Sequence, residues 1–273
     1  MTKPVRPADD DLDPGELTVA AILAAALGEL HPADAEVAAA VLVGSAEMAA
    51  DAVNYRPIEL RIRGELLPVL VDEYQTTVLD ELTRVPLATF DPTREARRWA
   101  EDHAARMITE ITASTRSAVA DIVRDGLGRG EGIDPIAASI RRVVGLHSAH
   151  ARAVERRHLG MLRDGMAPDR AALLAGRHAK KLIRSRAVTI ARWEVQSGRN
   201  TARHQTWAES YKAGGIPPGT RKRWVVANPC DVCADLAAEE PVRWDEPFSN
   251  GRMMPPEHPR CKCTASLVLP TVA

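Results

Sequence analysis

All four cysteines of this 273-residue chain fall between positions 230 and 263. They read Cys230-Asp231-Val232-Cys233 and then, after twenty-four residues, His258-Pro259-Arg260-Cys261-Lys262-Cys263. C-x2-C presents two thiolates to one ion from a tight turn, and H-x2-C can close on that ion from the other side. Sulfur and imidazole donors in this pattern suit a tetrahedral, structural Zn2+. Cys230, Cys233, His258, Cys261 and Cys263 are five candidates for four positions. Cys261 and Cys263 stand two apart, so on a regular strand they would face opposite ways. An extended segment therefore favours Cys230, Cys233, His258 and Cys261, with Cys263 as the substitute. A looped segment would instead let all four cysteines bind, with His258 behind them. Late disulfides and free buried thiols are the competing readings of the same residues. A catalytic metal needs an open position and a nearby base. The acid beside His258, Glu257, lies between prolines and not on a helix, so the H-E-x-x-H arrangement is absent.

The elements that would carry this cluster are mostly helical. Aromatics are only 4% of the chain, and Ala, Leu, Val and Arg dominate, which favours an α-rich protein. We expect a disordered tail over 1–14, a helical domain over 15–212, and a Cys/His-containing module over 213–273. Segment 16–30 reads as a short apolar helix, and Asp34 as the N-cap of a run over 35–54. Asp91-Pro92 reads as the start of a helix reaching Asp125, with a stripe that includes Trp99, Ile111, Thr115 and Ile122. Helices follow near 135–145, 149–164 and 169–211. In the last, Arg186, Trp193, Asn200, His204 and Trp207 recur at spacings of three, four and seven, which is one helix face. The glycines of 126–135 are no phosphate loop, because no strand precedes them and no Lys-Ser/Thr follows. Segments 221–227 and 264–270 read as strands. The expected fold class is therefore mainly α, a helical domain whose long last helix leads into a small α+β zinc-knuckle-like module. That module is short of core and in need of a staple.

Charge excludes little. There are 36 basic and 37 acidic residues, so the total does not mark a nucleic-acid binder, but 141–203 is locally basic. A basic helix face can meet DNA phosphates or an acidic protein surface, or stand solvated. No stretch approaches the apolar length of a membrane span, so no membrane is expected as a partner. The first residues carry no apolar signal core, so the chain is expected to stay in the cytoplasm, where thiols remain reduced.

From Ile183 to Pro270 the chain resembles the phage Mu protein F-like head-morphogenesis family. The resemblance runs through Ala191-Arg192-Trp193-Glu194-Val195, Asn200, Tyr211, Trp224, C-x2-C at Cys230 and Cys233, Leu236 and Pro247-Phe248. It ends on Pro255-Pro256-Glu257-His258-Pro259-Arg260-Cys261-Lys262-Cys263. Trp193 stands where the family commonly has Thr, Asn228 where Asp is common, and Lys262 where Arg is usual. The resemblance implies a low-copy minor head protein, not an enzyme. It would assemble in the host cytoplasm, associate with the portal protein and other head proteins inside the procapsid, act in assembly and in DNA packaging or release, and be found in the virion. Within that family Arg192 and Glu194 are expected either to anchor the long helix onto the C-terminal module or to form a surface pair. Some members carry C-terminal toxin domains; with three residues after Pro270, none is expected here.

Two other functions compete. One is a DNA-binding zinc module using the basic run 177–203 with Arg221, Lys222 and Arg223. The other is a head-maturation protease or zinc hydrolase, for which only the group His147, Ser148, His150 and His158 offers residues, without a nucleophile motif.

Overall fold

The computed structural model describes residues 12–85, 91–226 and 231–270. Helices dominate: α1 (Pro14–Gly28), α2 (Asp34–Leu42), α3 (Ala46–Asp51), α4 (Arg56–Arg61), α5 (Leu67–Leu82), α6 (Pro92–Gly128), α7 (Ile133–Val143), α8 (Ser148–Arg163), α9 (Pro168–Lys212) and α10 (Asp231–Ala238). A π-turn over Ile62–Leu66 joins α4 to α5. Strands β1 (His31–Pro32) and β2 (Val53–Asn54) form one antiparallel pair. Strands β3 (Arg221–Val225), β4 (Val242–Arg243) and β5 (Thr264–Val268) form a second antiparallel sheet in the order β4-β3-β5, with Trp224 opposite Ala265. The mainly α reading and both predicted C-terminal strands are therefore present.

Local chemistry explains most boundaries. The Asp91 carboxylate accepts from the backbone N–H of Thr93 and Arg94, an N-cap with proline at the first helical position. Asp34 is not the cap expected of it. It is the first residue of α2, preceded by Ala33, which makes no side-chain cap. The single helix expected over 35–54 is broken at Gly44, whose φ of 69° lies in the left-handed region, and Ser45 then caps α3 by accepting from Met48 N–H. Of the connection expected over 84–93, residues 86–90 lie outside the described residues.

The chain forms two compact units. Of the described residues, one comprises 20–66 and 104–188; the other comprises 12–19, 67–85, 91–103, 189–226 and 231–270. The first packs small aliphatic side chains. Ala118, Ile122, Val143, Val154, Ala175 and Ala179 share one buried cluster. Gly145 shows how closely the backbone approaches there: at φ 91° it turns so tightly that an added Cβ would lie 2.5 Å from the Leu27 carbonyl oxygen. Arg186 is buried in this unit. It donates to the Gly145 carbonyl at 2.7 Å, Thr115 Oγ1 at 3.1 Å and Ser114 Oγ at 2.6 Å. Burial pushes its pKa down to about 10, still cationic at neutral pH.

The second unit packs large side chains. Trp207, Trp224, Phe248, Ile216 and Leu236 are buried together with Cys233, Cys261 and Cys263. The C-terminal module is thus not short of core, as its composition suggested, because Trp207 of α9 and Val85 complete it. A second cluster joins Tyr74, Val78, Ala96 and Ala202, with Trp99 against it.

Candidate metal centre

The loop before β5 carries the second half of the cysteine pattern, and α10 carries part of the first. Cys233 sits in the first turn of α10, not in a free turn as its spacing suggested. Cys230 lies outside the described residues. Residues 261–263 are irregular, and both Cys261 and Cys263 are buried. The strand argument that would have separated these two therefore does not apply: the strand begins only at Thr264, and both sulfurs turn to one place. The ligand atoms of Cys233, Cys261 and Cys263 lie within 4.8 Å of one another, and none of the three is in a disulfide.

His258 stands beside Cys233, outside the group of three sulfurs that lie within 4.8 Å of one another. Its Nε2 lies 3.4 Å from Cys233 Sγ, and its Nδ1 faces the Pro259 carbonyl at 2.9 Å. A ring that donates through Nδ1 to a carbonyl keeps the Nε2 lone pair for a metal. Arg260 turns the chain between His258 and Cys261. Its φ is 69°, in the left-handed region that a non-glycine residue occupies at a cost. Cys261 N–H then donates to the His258 carbonyl at 3.0 Å, and Arg260 Nε donates to Thr189 Oγ1.

These spacings fit a tetrahedral ion. Metal–sulfur bonds of about 2.3 Å and metal–nitrogen bonds of about 2.0–2.1 Å place two sulfurs about 3.8 Å apart, and a sulfur about 3.5 Å from a nitrogen. The Cys233 and Cys261 sulfurs stand 3.8 Å apart, and the sulfur–imidazole distance is 3.4 Å. A disulfide would need about 2.05 Å. A second observation points the same way. Trp224 Nε1 is buried without a hydrogen-bond partner. Burial pushes the Cys263 thiol up, while the Trp224 indole N–H beside it favours the thiolate. An otherwise unsatisfied N–H next to a sulfur is the donor expected behind a metal-bound thiolate.

The surrounding polar network was only partly visible in the sequence. Asn200 on α9, 1% exposed, donates to the Cys263 carbonyl at 3.2 Å and accepts from Thr264 Oγ1 at 2.9 Å. It so ties α9 to the cysteine-bearing strand. Arg203 donates to Asn200 Oδ1, to Thr264 Oγ1 and to Glu81. Glu81 also accepts from the Trp207 indole N–H at 2.7 Å. The helix spacing picked out Asn200 and Trp207, but nothing marked Glu81 on α5 as their partner.

Several expected roles change. Arg192 and Glu194 do not pair with each other: Arg192 meets Glu16 at 3.4 Å with both side chains buried, and Glu194 meets His103 at 2.9 Å. Both Trp224 and Trp244 pack on the cysteine cluster, Trp224 within it and edge-on to Phe248, Trp244 against it and tilted beside His204 and Tyr211. Lys222 is no surface cation. It is fully buried, donates to the Met253 carbonyl at 2.7 Å and lies over the Phe248 ring. His147 and His150 stack at 4.0 Å, Ser148 hydrogen-bonds Asp121, and His158 sits by Arg142 and Glu155.

Together these features define a helix-dominated protein whose C-terminal module is organised around a compact cluster of thiols. The chain belongs to the family of Phage Mu protein F like proteins, whose model matches residues 117–266, more than half of its length. The match begins in α6, well before the motif-bearing run from Ile183, and it covers α7 to α10 and all the described candidate ligands. Membership points to a bacteriophage, head-related protein. No curated protein and no solved structure matches the chain. Among the described residues no helix is long and apolar enough to cross a membrane.

Proposed function

We propose that the chain is a minor head protein that acts in head morphogenesis. In this reading it binds the portal protein and other head proteins on the inner side of the procapsid, and it catalyses no reaction. The observation that carries the reading is the family match, which runs through both the helical part and the cysteine module. Cys233, Cys261 and Cys263 would hold one Zn2+, with Cys230 or His258 as the fourth donor, because soft sulfur donors select this ion and a closed set of four leaves no position for substrate. The ion would cross-link α10 to the loop before β5. Mass spectrometry of purified particles and procapsids, with pull-down on the portal protein, tests the assembly role; absence from both particles and no capture would remove it. Metal analysis of the purified protein should find one zinc per chain, lost in Cys261→Ser. Zinc loss in Cys230→Ser or in His258→Ala identifies the fourth donor, and zinc retained in Cys261→Ser removes the site.

A further inference from the structure

Most arginines of this protein have internal partners. Arg192, Arg199 and Arg203 each face a carboxylate, and Arg186 is buried among neutral oxygens. The densest departure from this rule lies on α8 and α9. On α8, Arg156, Arg157 and Arg163 are exposed; on α9, so are Arg170, Arg177, Lys180, Lys181 and Arg184. None of these eight appears in an ion pair among the described residues. The segment 156–184 carries only two acids, Asp164 and Asp169, in a chain of net charge −1.

Helix geometry puts these cations together. Positions 170, 177, 181 and 184 are separated by seven, four and three residues, so they form one stripe. Ala171, Ala175 and Ala179 occupy the buried side of the same helix. On α8, Arg156 and Arg163 are seven apart and lie away from buried Ala151 and Val154. Helices α8 and α9 share a buried cluster through Val154, Ala175 and Ala179. The charges of Arg157 on α8 and Lys181 on α9 both bear on His178, whose pKa burial also lowers. The two cationic stripes therefore meet in one surface.

We propose that this α8–α9 face binds the phosphate backbone of double-stranded DNA without reading its sequence. The stripe from 170 to 184 extends about 21 Å, along which a duplex presents one negative charge per about 1.7 Å. Its chemistry separates the duplex from other polyanions. Residues 148–184 contain no Phe, Trp or Tyr, so there is no platform on which single-stranded bases could stack. They contain no Asn or Gln, the side chains that pair with adenine edges. What remains is charge alone, spaced along a straight rod. This goes beyond the head-protein reading, lies in the other compact unit from the thiol cluster, and stands or falls separately from it.

The test is fluorescence anisotropy of the full chain with a labelled 25-base-pair duplex across a salt series. The wild type should bind with log K falling against log salt at a slope between about −4 and −6, as expected for five to seven neutralised phosphates. Arg177→Gln/Lys181→Gln/Arg184→Gln should flatten that slope by about 2–3. These side chains are exposed and unpaired, so the circular dichroism of the variant should match the wild type. Arg63→Gln/Arg84→Gln/Arg243→Gln removes three exposed cations elsewhere and should leave the slope unchanged. The α9 variant should keep the wild-type zinc content, which separates this result from any failure of the zinc experiment. A flat titration overturns the proposal, as does a slope that the α9 variant does not change. Displacement of the duplex by polyglutamate at matched charge and ionic strength overturns it in favour of an acidic protein partner.

Discussion

The two compact units bury their interiors by opposite means. Among the described residues, all five tryptophans, Phe248, Cys233, Cys261 and Cys263 lie in one unit, within 67–103 and 189–270, and Tyr55 is the single Phe, Trp or Tyr of the other. The aliphatic unit is held by many small contacts and close backbone approach, as at Gly145. Its buried cation, Arg186, is satisfied by carbonyl and hydroxyl oxygens. The aromatic unit concentrates its packing in a few large anchors and pairs two of its enclosed cations with carboxylates, Arg192 with Glu16 and Arg203 with Glu81, while buried Lys222 donates to a carbonyl. Stability spread over small contacts degrades gradually, whereas stability focused on Trp207, Glu81 and three sulfurs should fail at single points. Tryptophan fluorescence reports the aromatic unit alone, while far-ultraviolet circular dichroism reports both, so the contrast can be measured.

The largest effect should come from the thiol cluster. Stripping metal with a strong chelator, or Cys261→Ser, should destabilise the aromatic unit by several kcal/mol. That is less than the ~10–16 kcal/mol seen where metal alone folds a peptide, because Trp224 and Phe248 remain packed. The fluorescence melting curve should move further than the dichroism curve; equal movement would mean that focused and distributed packing do not behave differently here. Next comes Arg186→Ala in the aliphatic unit. It strands the Gly145 carbonyl and leaves a cavity, at a cost of about 2–3 kcal/mol, seen mainly by dichroism. Arg186→Met keeps the stem volume and drops the buried charge, so it should cost less than Arg186→Ala. The reverse order in thermal unfolding would show that the guanidinium's bonds outweigh its burial. Asn200→Ala should cost about 2 kcal/mol by stranding the Cys263 carbonyl, and weaken zinc about tenfold by loosening the backbone behind a ligand. Unchanged zinc affinity in a competition titration would limit Asn200 to packing.

Sequence patterns revealed what repeats locally or is rare. The spacing along 92–128 and 168–212 is visible because a helix brings residues three and four apart onto one face. The metal candidates are visible because four cysteines are few and clustered. Partnerships across long sequence distances are not encoded in any local pattern. Glu81 is 122 residues from Arg203, and Glu16 is 176 from Arg192. Polar residues on those helices therefore read as solvated until packing supplies their partners. Lys222 is the sharpest case. Strand alternation places it on the same side of β3 as Trp224, both buried, with Arg221 and Arg223 exposed, yet a run of three basic residues reads as a surface patch. The convergence of Cys261 and Cys263 was equally hidden, since it depends on where β5 starts and on the left-handed turn at Arg260.

Lys222 also yields the smallest effect, and one whose sign is fixed. Burial lowers its pKa from 10.5 to about 8, against the pull of Asp245 and Glu246, which raise it. In the unfolded chain the ammonium keeps its ordinary affinity for a proton. Between about pH 8 and 10.5 the unfolded state therefore binds more protons than the folded one, and stability rises with pH. Below pH 8 both states are protonated and this contribution is flat. The neutral amine still donates to the Met253 carbonyl, so the hydrogen bond survives deprotonation. Lys222→Met removes the titration while filling similar space. The stability difference, wild type minus variant, should be constant from pH 6 to 7 and then climb in the wild type's favour above pH 8, in urea unfolding followed by tryptophan fluorescence. Taking the difference cancels the pH dependence of the thiols and of any bound metal, which both proteins share. A difference that stays level through pH 10 would mean that Phe248, over whose ring the ammonium lies, with the two acids, compensates the burial completely.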